Sequence, residues 1–158
     1  MTATFSNRVR VPVGVDALYA AFTDPAFLEA RARALGSSRA SASRVDEPGA
    51  VVLTMETEDP PNPGQDENVG TMIWRIDPET RRGTWRRIQR GFEKRARAEG
   101  TIALVAAGPA AAEIVTTGEI EIKVPVLGKM IERKISEAIA KGAAREEQVT
   151  ADLLRQRA

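Results

Sequence analysis

Apolar residues change their spacing sharply near the C-terminal end of this chain. Between Ala112 and Val124, Ile114, Thr116, Gly118, Ile120, Ile122 and Val124 fall on one side, and Glu113, Val115, Thr117, Glu119, Glu121 and Lys123 on the other. That is a period of two, the mark of a strand with one buried and one wetted face. Pro125 ends the ladder, having no amide hydrogen to give. Beyond it Leu127, Ile131, Ile135, Ala138, Ile139, Gly142, Val149 and Leu153 recur mostly at three- and four-residue steps among Lys, Arg and Glu. This predicts one long amphipathic helix running to about Arg157.

Upstream the pattern is mostly strand. Phe5, Asn7, Val9 and Val11 alternate with Arg8 and Arg10 over Thr4–Val11. Asp16 reads as the N-cap of a short helix with Leu18, Tyr19 and Phe22 on its face. Asp24-Pro25 reads as a second helix start, with Phe27, Leu28, Ala32 and Leu35 as its stripe and Gly36 as its stop. Strands follow over Ser38–Val45, around Val51, Leu53 and Met55, over Gly70–Asp77, Thr84–Arg90 and Arg95–Ala106, and then the Ala112 strand. Pro48-Gly49, Pro78–Gly83, Gly91–Lys94 and Gly108-Pro109 turn the chain between them. The Pro-rich acidic stretch Asp59–Glu67 is an exposed loop. Strands joined by hairpins make an antiparallel sheet, and one this wide twists and curls. The prediction is an α+β fold: a curled seven-stranded antiparallel sheet, two short helices after the first strand, and a long C-terminal helix on the concave side. It occupies residues 1–158 as a single domain.

Composition narrows the chemistry. The chain contains neither His nor Cys, so the commonest general base, the commonest metal ligand and any thiolate are missing. A net charge of +1 gives no global field toward nucleic acid or membrane. No run approaches the roughly 20 apolar residues that span a bilayer, and MTATFSNRVRV lacks a signal-peptide pattern, so a cytoplasmic location is expected. Arg81, Arg82, Arg86, Arg87, Arg90, Lys94, Arg95 and Arg97 form a basic cluster. It has no accompanying row of aromatics and reads as a solvated face balanced by Glu113, Glu119 and Glu121. Asp59, Asp66 and Glu67 lack the spacing of a calcium loop.

Two stretches, VPVGVDALYAAFTDPAFLEARARALG and TGEIEIKVPVLGKMIERKISEAI, together with the order of elements, resemble the helix-grip superfamily often called SRPBCC. That superfamily contains START lipid-transfer domains, polyketide cyclases and pollen allergens. The closer likeness is to an uncharacterised bacterial branch described only as a domain of unknown function. The resemblance implies a cavity between sheet and long helix. With the charge and the lack of an apolar span, the expected partner is a small hydrophobic or amphipathic molecule, lipid included, with no cofactor, no nucleic acid and no stable membrane insertion.

The residues make part of that case themselves. Ala96, Ala98, Gly100 and Gly118 on the last two strands face Ala138, Gly142 and Ala143 on the helix, and small facing small gives either close approach or a hollow. Leu53, Met55, Met72, Trp74 and Trp85 would form a pocket wall, or simply a core, with Ile102, Ile114, Ile135 and Ile139 around them. If Trp85 points inward, Arg87 and Gln89 do too. Arg87 then either receives a ligand carboxylate or phosphate or extends to solvent at the mouth. Asn7 is a second polar group on the inner face. Three functions follow: non-covalent ligand binding, a cyclase- or hydrolase-like enzyme using a carboxylate, Tyr19 or Arg87, and a protein-interaction module with a filled core. A cavity below about 300 Å³ argues against the first two.

Overall fold

A computed structural model describes residues 2–61, 66–123 and 128–157. In the last helix, the side chains of 128–132, 134–136, 139 and 140 lie outside that description. The elements run β1 (Thr2–Val11), α1 (Val15–Phe22), α2 (Pro25–Ala34), β2 (Arg39–Glu47), β3 (Ala50–Glu58), β4 (Val69–Ile76), β5 (Arg82–Gln89), β6 (Ala96–Ala106), β7 (Ala112–Ile122) and α3 (Gly128–Arg157). The strands form one seven-stranded sheet in the order β1-β7-β6-β5-β4-β3-β2, and every neighbouring pair is antiparallel. Six strands thus follow one another by hairpins while β1 closes the row beside β7. The predicted fold is the observed one.

Local chemistry sets the boundaries. The Asp24 side chain accepts the Ala26 amide at 3.0 Å and Pro25 opens α2. At its other end Gly36 takes φ +118°, its amide bonds Arg33 O and the Ser37 amide bonds Ala32 O. This paired capping pattern needs a left-handed residue, which glycine adopts without strain. Asp16 does not cap α1. The helix begins two residues earlier, at Val15, with Gly14 as an N-cap that makes no side-chain bond. Asp16 instead sits in the first turn, where the helix dipole favours a carboxylate, and pairs with Arg81.

The sheet curls tightly because glycine stands where strands close on one another. A Cβ at Gly83 would lie 1.8 Å from Arg75 O, and one at Gly100 would lie 1.9 Å from Thr117 O. A Cβ at Gly118 would come 2.4 Å from Trp85 Cζ2 and 2.7 Å from Phe5 Cε1. Gly100 and Gly118 therefore do not leave a hollow: the first admits neighbouring backbone, the second is covered by two aromatic rings.

The helix face also departs from the expected stripe. Ala138 is exposed, and Val149 and Leu153 are half-buried. The buried positions are Thr150, Ala151 and Leu154. The second half of α3 is rotated from the apolar reading because polar residues occupy part of its inward face. Its Leu154 joins Leu18 of α1, Leu28 of α2, and Leu53, Trp74, Ile76 and Leu104 of the sheet in one core.

Candidate ligand-binding site

Alternation along β1 turns Phe5, Asn7 and Val9 toward the concave side. The same rule brings Met72 and Trp74 from β4, Trp85 from β5, Ile102 from β6, and Ile114 and Thr116 from β7 to that side. Phe22 of α1, Arg31 of α2 and Glu146 of α3 face them. Together these residues enclose a cleft of about 180 Å³.

Its walls are mainly apolar, with four aromatic rings among them. Phe22 meets Trp74 edge to face, with centroids 5.6 Å apart at 83°. Phe5 and Trp85 lie 5.8 Å apart and tilted. The Trp85 indole N–H donates to Thr117 O at 2.9 Å, which consumes its one polar group and leaves the ring as apolar wall.

One corner is polar. Arg31 Nε donates to Thr150 Oγ1 at 2.9 Å, and Arg31 Nη2 stands 3.7 Å from Glu146 Oε1. Asn7 Nδ2 donates to the other Glu146 oxygen at 3.1 Å. The Arg31 side chain is 14% exposed, and burial lowers its pKa, with the Glu146 charge opposing the shift only in part.

Of the residues singled out from the sequence, Asn7, Met72, Trp74, Trp85, Ile102 and Ile114 come together here. Leu53 and Met55 are buried in the core but are not part of this wall. Arg87 and Gln89 share the inward face with Trp85 yet stand apart from the cleft. The Arg87 guanidinium lies over Gly70, 3.8 Å from Asp59, and donates to Gln89 Oε1 at 3.2 Å. Gln89 in turn donates to Asn68 Oδ1 at 2.8 Å. Burial lowers the Arg87 pKa, and Asp59 partly offsets it. Tyr19 is not in the cleft wall either, and its ring lies 5.0 Å beneath the Arg81 guanidinium. Ile135 and Ile139 lie outside the described side chains.

Sequence reading missed Arg31 and Glu146. The signal was present: Arg31 lies four residues past Phe27 and three past Leu28, in phase with the stripe of α2, and Glu146 lies four past Gly142. A charge in phase with an apolar stripe is a charge aimed inward.

Part of the basic cluster is paired. Arg97 meets Glu99 and Glu121, Arg90 meets Glu56 and Glu67, and Arg81 meets Asp16. A larger open depression of about 800 Å³ lies on the convex side of the sheet, among Thr84, Arg86, Glu99, Thr101, Thr117 and Glu119. Its side chains are solvated, so it lacks the desolvated charge that distinguishes the smaller cleft. No described helix is long and apolar enough to cross a membrane.

A curled antiparallel sheet gripping a long helix, with a cleft between them, is the helix-grip fold. The chain belongs to the family described as "Protein of unknown function (DUF2505)", whose sequence model matches residues 67–154, more than half of the chain. Solved structures share the whole fold. TTHA0849 from Thermus thermophilus aligns at TM-score 0.70 and 16% identity, covering 99% of both chains. The Zhui aromatase/cyclase from Streptomyces sp. R1128 aligns at TM-score 0.67 and 13% identity, covering 99% of this chain and 96% of that one. Norcoclaurine synthase from Thalictrum flavum, in complex with dopamine and hydroxybenzaldehyde, aligns at TM-score 0.61 and 18% identity, covering 98% and 88%. No curated protein matches the sequence.

Proposed function

We propose that this protein binds a small amphipathic molecule without covalent chemistry, its apolar body against Trp74, Trp85 and Phe22 and its polar end toward Asn7, Arg31 and Glu146. The observation that carries the reading is the cleft itself: an aromatic wall closed at one corner by a buried charge. Its size limits the guest. At about 180 Å³ it falls below the roughly 300 Å³ set for the binding and enzyme readings, which counts against a drug-sized guest and leaves room only for a smaller one. It exceeds the about 150 Å³ that accommodates benzene in an engineered cavity. The guest is therefore of single-ring size, not a long acyl chain or a polycyclic substrate. The dopamine and hydroxybenzaldehyde of the norcoclaurine synthase complex are single-ring molecules too. A net charge of only +1 favours a small-molecule partner over nucleic acid. In this reading the chain is one domain, acting in the cytoplasm.

The test uses Trp74 and Trp85, the chain's two tryptophans, both in the cleft wall. Titration with hydroxybenzaldehyde, phenylacetamide and phenylacetate should give a saturable change in tryptophan emission for at least one of them. Ile114→Phe, which adds bulk to the wall, should abolish it. No saturable response to any of the three, with amide NMR spectra unchanged, would overturn the reading.

A second reading, catalysis on a ring-sized substrate, is favoured by the convergence of Asn7, Arg31 and Glu146. Glu146 would be the acid–base group and Arg31 the electrostatic clamp.

A further inference from the structure

Granted the ligand-binding reading above, on which it rests, the chemistry of the guest is set more by the cleft's polar corner than by its volume. A guanidinium has five N–H donors. Arg31 gives one, from Nε, to Thr150, and that bond fixes the plane of the group. Its contact with Glu146 is 3.7 Å, well beyond the about 2.7–2.9 Å of a charge-assisted hydrogen bond. Among the described residues no other acceptor reaches it.

Glu146 is a weak partner for a further reason. One of its oxygens is drawn to Asn7, and its side chain is 35% exposed against 14% for Arg31. A carboxylate nearer water and a guanidinium farther from it make an ill-matched pair. Burying a charge without close compensation is costly. The lowered pKa of Arg31 reflects that deficit, since burial outweighs the Glu146 charge.

We propose that the ligand carries a carboxylate, received by the free Nη edge of Arg31, so that the natural guest is a single-ring organic acid. The planar fork of arginine matches a planar carboxylate through two parallel bonds. The ring then lies against Trp74 and Trp85. The guest's carboxylate takes over the role Glu146 fills poorly, and Glu146 turns toward solvent. Arg87, which the sequence suggested for this task, stands apart from the cleft and donates to Gln89 Oε1.

The probes are phenylacetate and its neutral isostere phenylacetamide, measured by isothermal titration calorimetry on the full chain. Wild type should bind the acid at least about tenfold more tightly than the amide. Arg31→Gln should remove that preference by weakening acid binding more than amide binding. Glu146→Gln, which deletes a competing negative charge, should tighten acid binding and not amide binding. Equal affinity of wild type for acid and amide would overturn the proposal while leaving the ligand-binding reading intact. Tighter amide than acid binding would do the same. If neither binds, the proposal falls, and the ligand-binding reading falls with it only if hydroxybenzaldehyde gives no response either. Should Arg31→Gln not fold, the acid-to-amide ratio in wild type and its rise in Glu146→Gln still decide the matter.

Discussion

Glycines mark where single atoms decide this fold, and they divide into two kinds. Gly83 sits so close to β4 that a methyl group would overlap Arg75 O at 1.8 Å and Ile76 Cα at 2.8 Å. Both are backbone and cannot turn aside, so the sheet would have to open. Gly83→Ala should cost about 3 kcal/mol or more, at the upper end of overpacking changes. Gly142 has nothing within 4 Å of the position its Cβ would take and lies inside α3. Gly142→Ala should therefore stabilise the protein by about 0.5–1 kcal/mol, through the lower backbone entropy of alanine. Urea denaturation of the two variants against wild type checks both signs. The same contrast decides between the two outcomes the sequence left open at Gly100 and Gly118. Missing side-chain volume is visible in a sequence. Whether backbone, a ring or nothing fills it depends on how far the sheet bends.

Among elements, α2 is the best defined by its own residues, from the Asp24-Pro25 start to the Gly36 stop, and Asp24 also reaches beyond it. Its second oxygen accepts from Arg157 Nη1 at 2.7 Å, tying the start of α2 to the end of α3. That bond first, and the Ala26 amide after it, hold the Asp24 carboxyl below its ordinary value of 3.8, against the opposing effect of burial. A carboxyl with a depressed pKa in the folded state stabilises the fold fully above its unfolded value. That contribution is lost as pH falls through the folded value. Asp24→Ala should cost about 1 kcal/mol near neutral pH, and the gap from wild type should close as pH drops below about 4. Denaturant midpoints of the pair across that range measure it. Elements of this kind were legible because caps, prolines and periods act within a few residues. The strands around Trp74, Trp85 and Ile102 were legible for the same reason. The polar corner was harder to see because it needs three separate elements. Asn7, Arg31 and Glu146 are 24 and 115 residues apart in order along the chain, and a charged residue on a helix ordinarily faces water.

At the scale of the molecule, all three helices share one core with the sheet, so the cleft and the fold should stand or fall together. Leu154, 2% exposed near the end of α3, packs in the same cluster as Leu18, Leu28, Leu53 and Trp74. It is the buried leucine that fastens the closing helix, supported by polar links from Glu147 to the Arg10 amide and from Arg145 to Ala34 O. Leu154→Ala should cost about 2–4 kcal/mol, the usual range for deleting a buried leucine side chain. Because the core is shared, the loss should lower one transition, not split off a separate one for α3. Tryptophan emission from the cleft and far-ultraviolet dichroism from the helices should therefore report the same midpoint. Arg155, 59% exposed and paired with Asp152 on the same helix, gives the control: Arg155→Ala should change stability by less than about 0.5 kcal/mol. Binding then adds to the same balance. A guest that occupies only the folded cleft, at one hundred times its dissociation constant, contributes about 2.7 kcal/mol. That is enough to restore most of what Leu154→Ala removes. Recovery of the variant's midpoint by a cleft ligand, with wild type shifted by a like free energy, is the expected result. Two separate transitions in the variant would show that α3 closes over the sheet independently of the core beneath it.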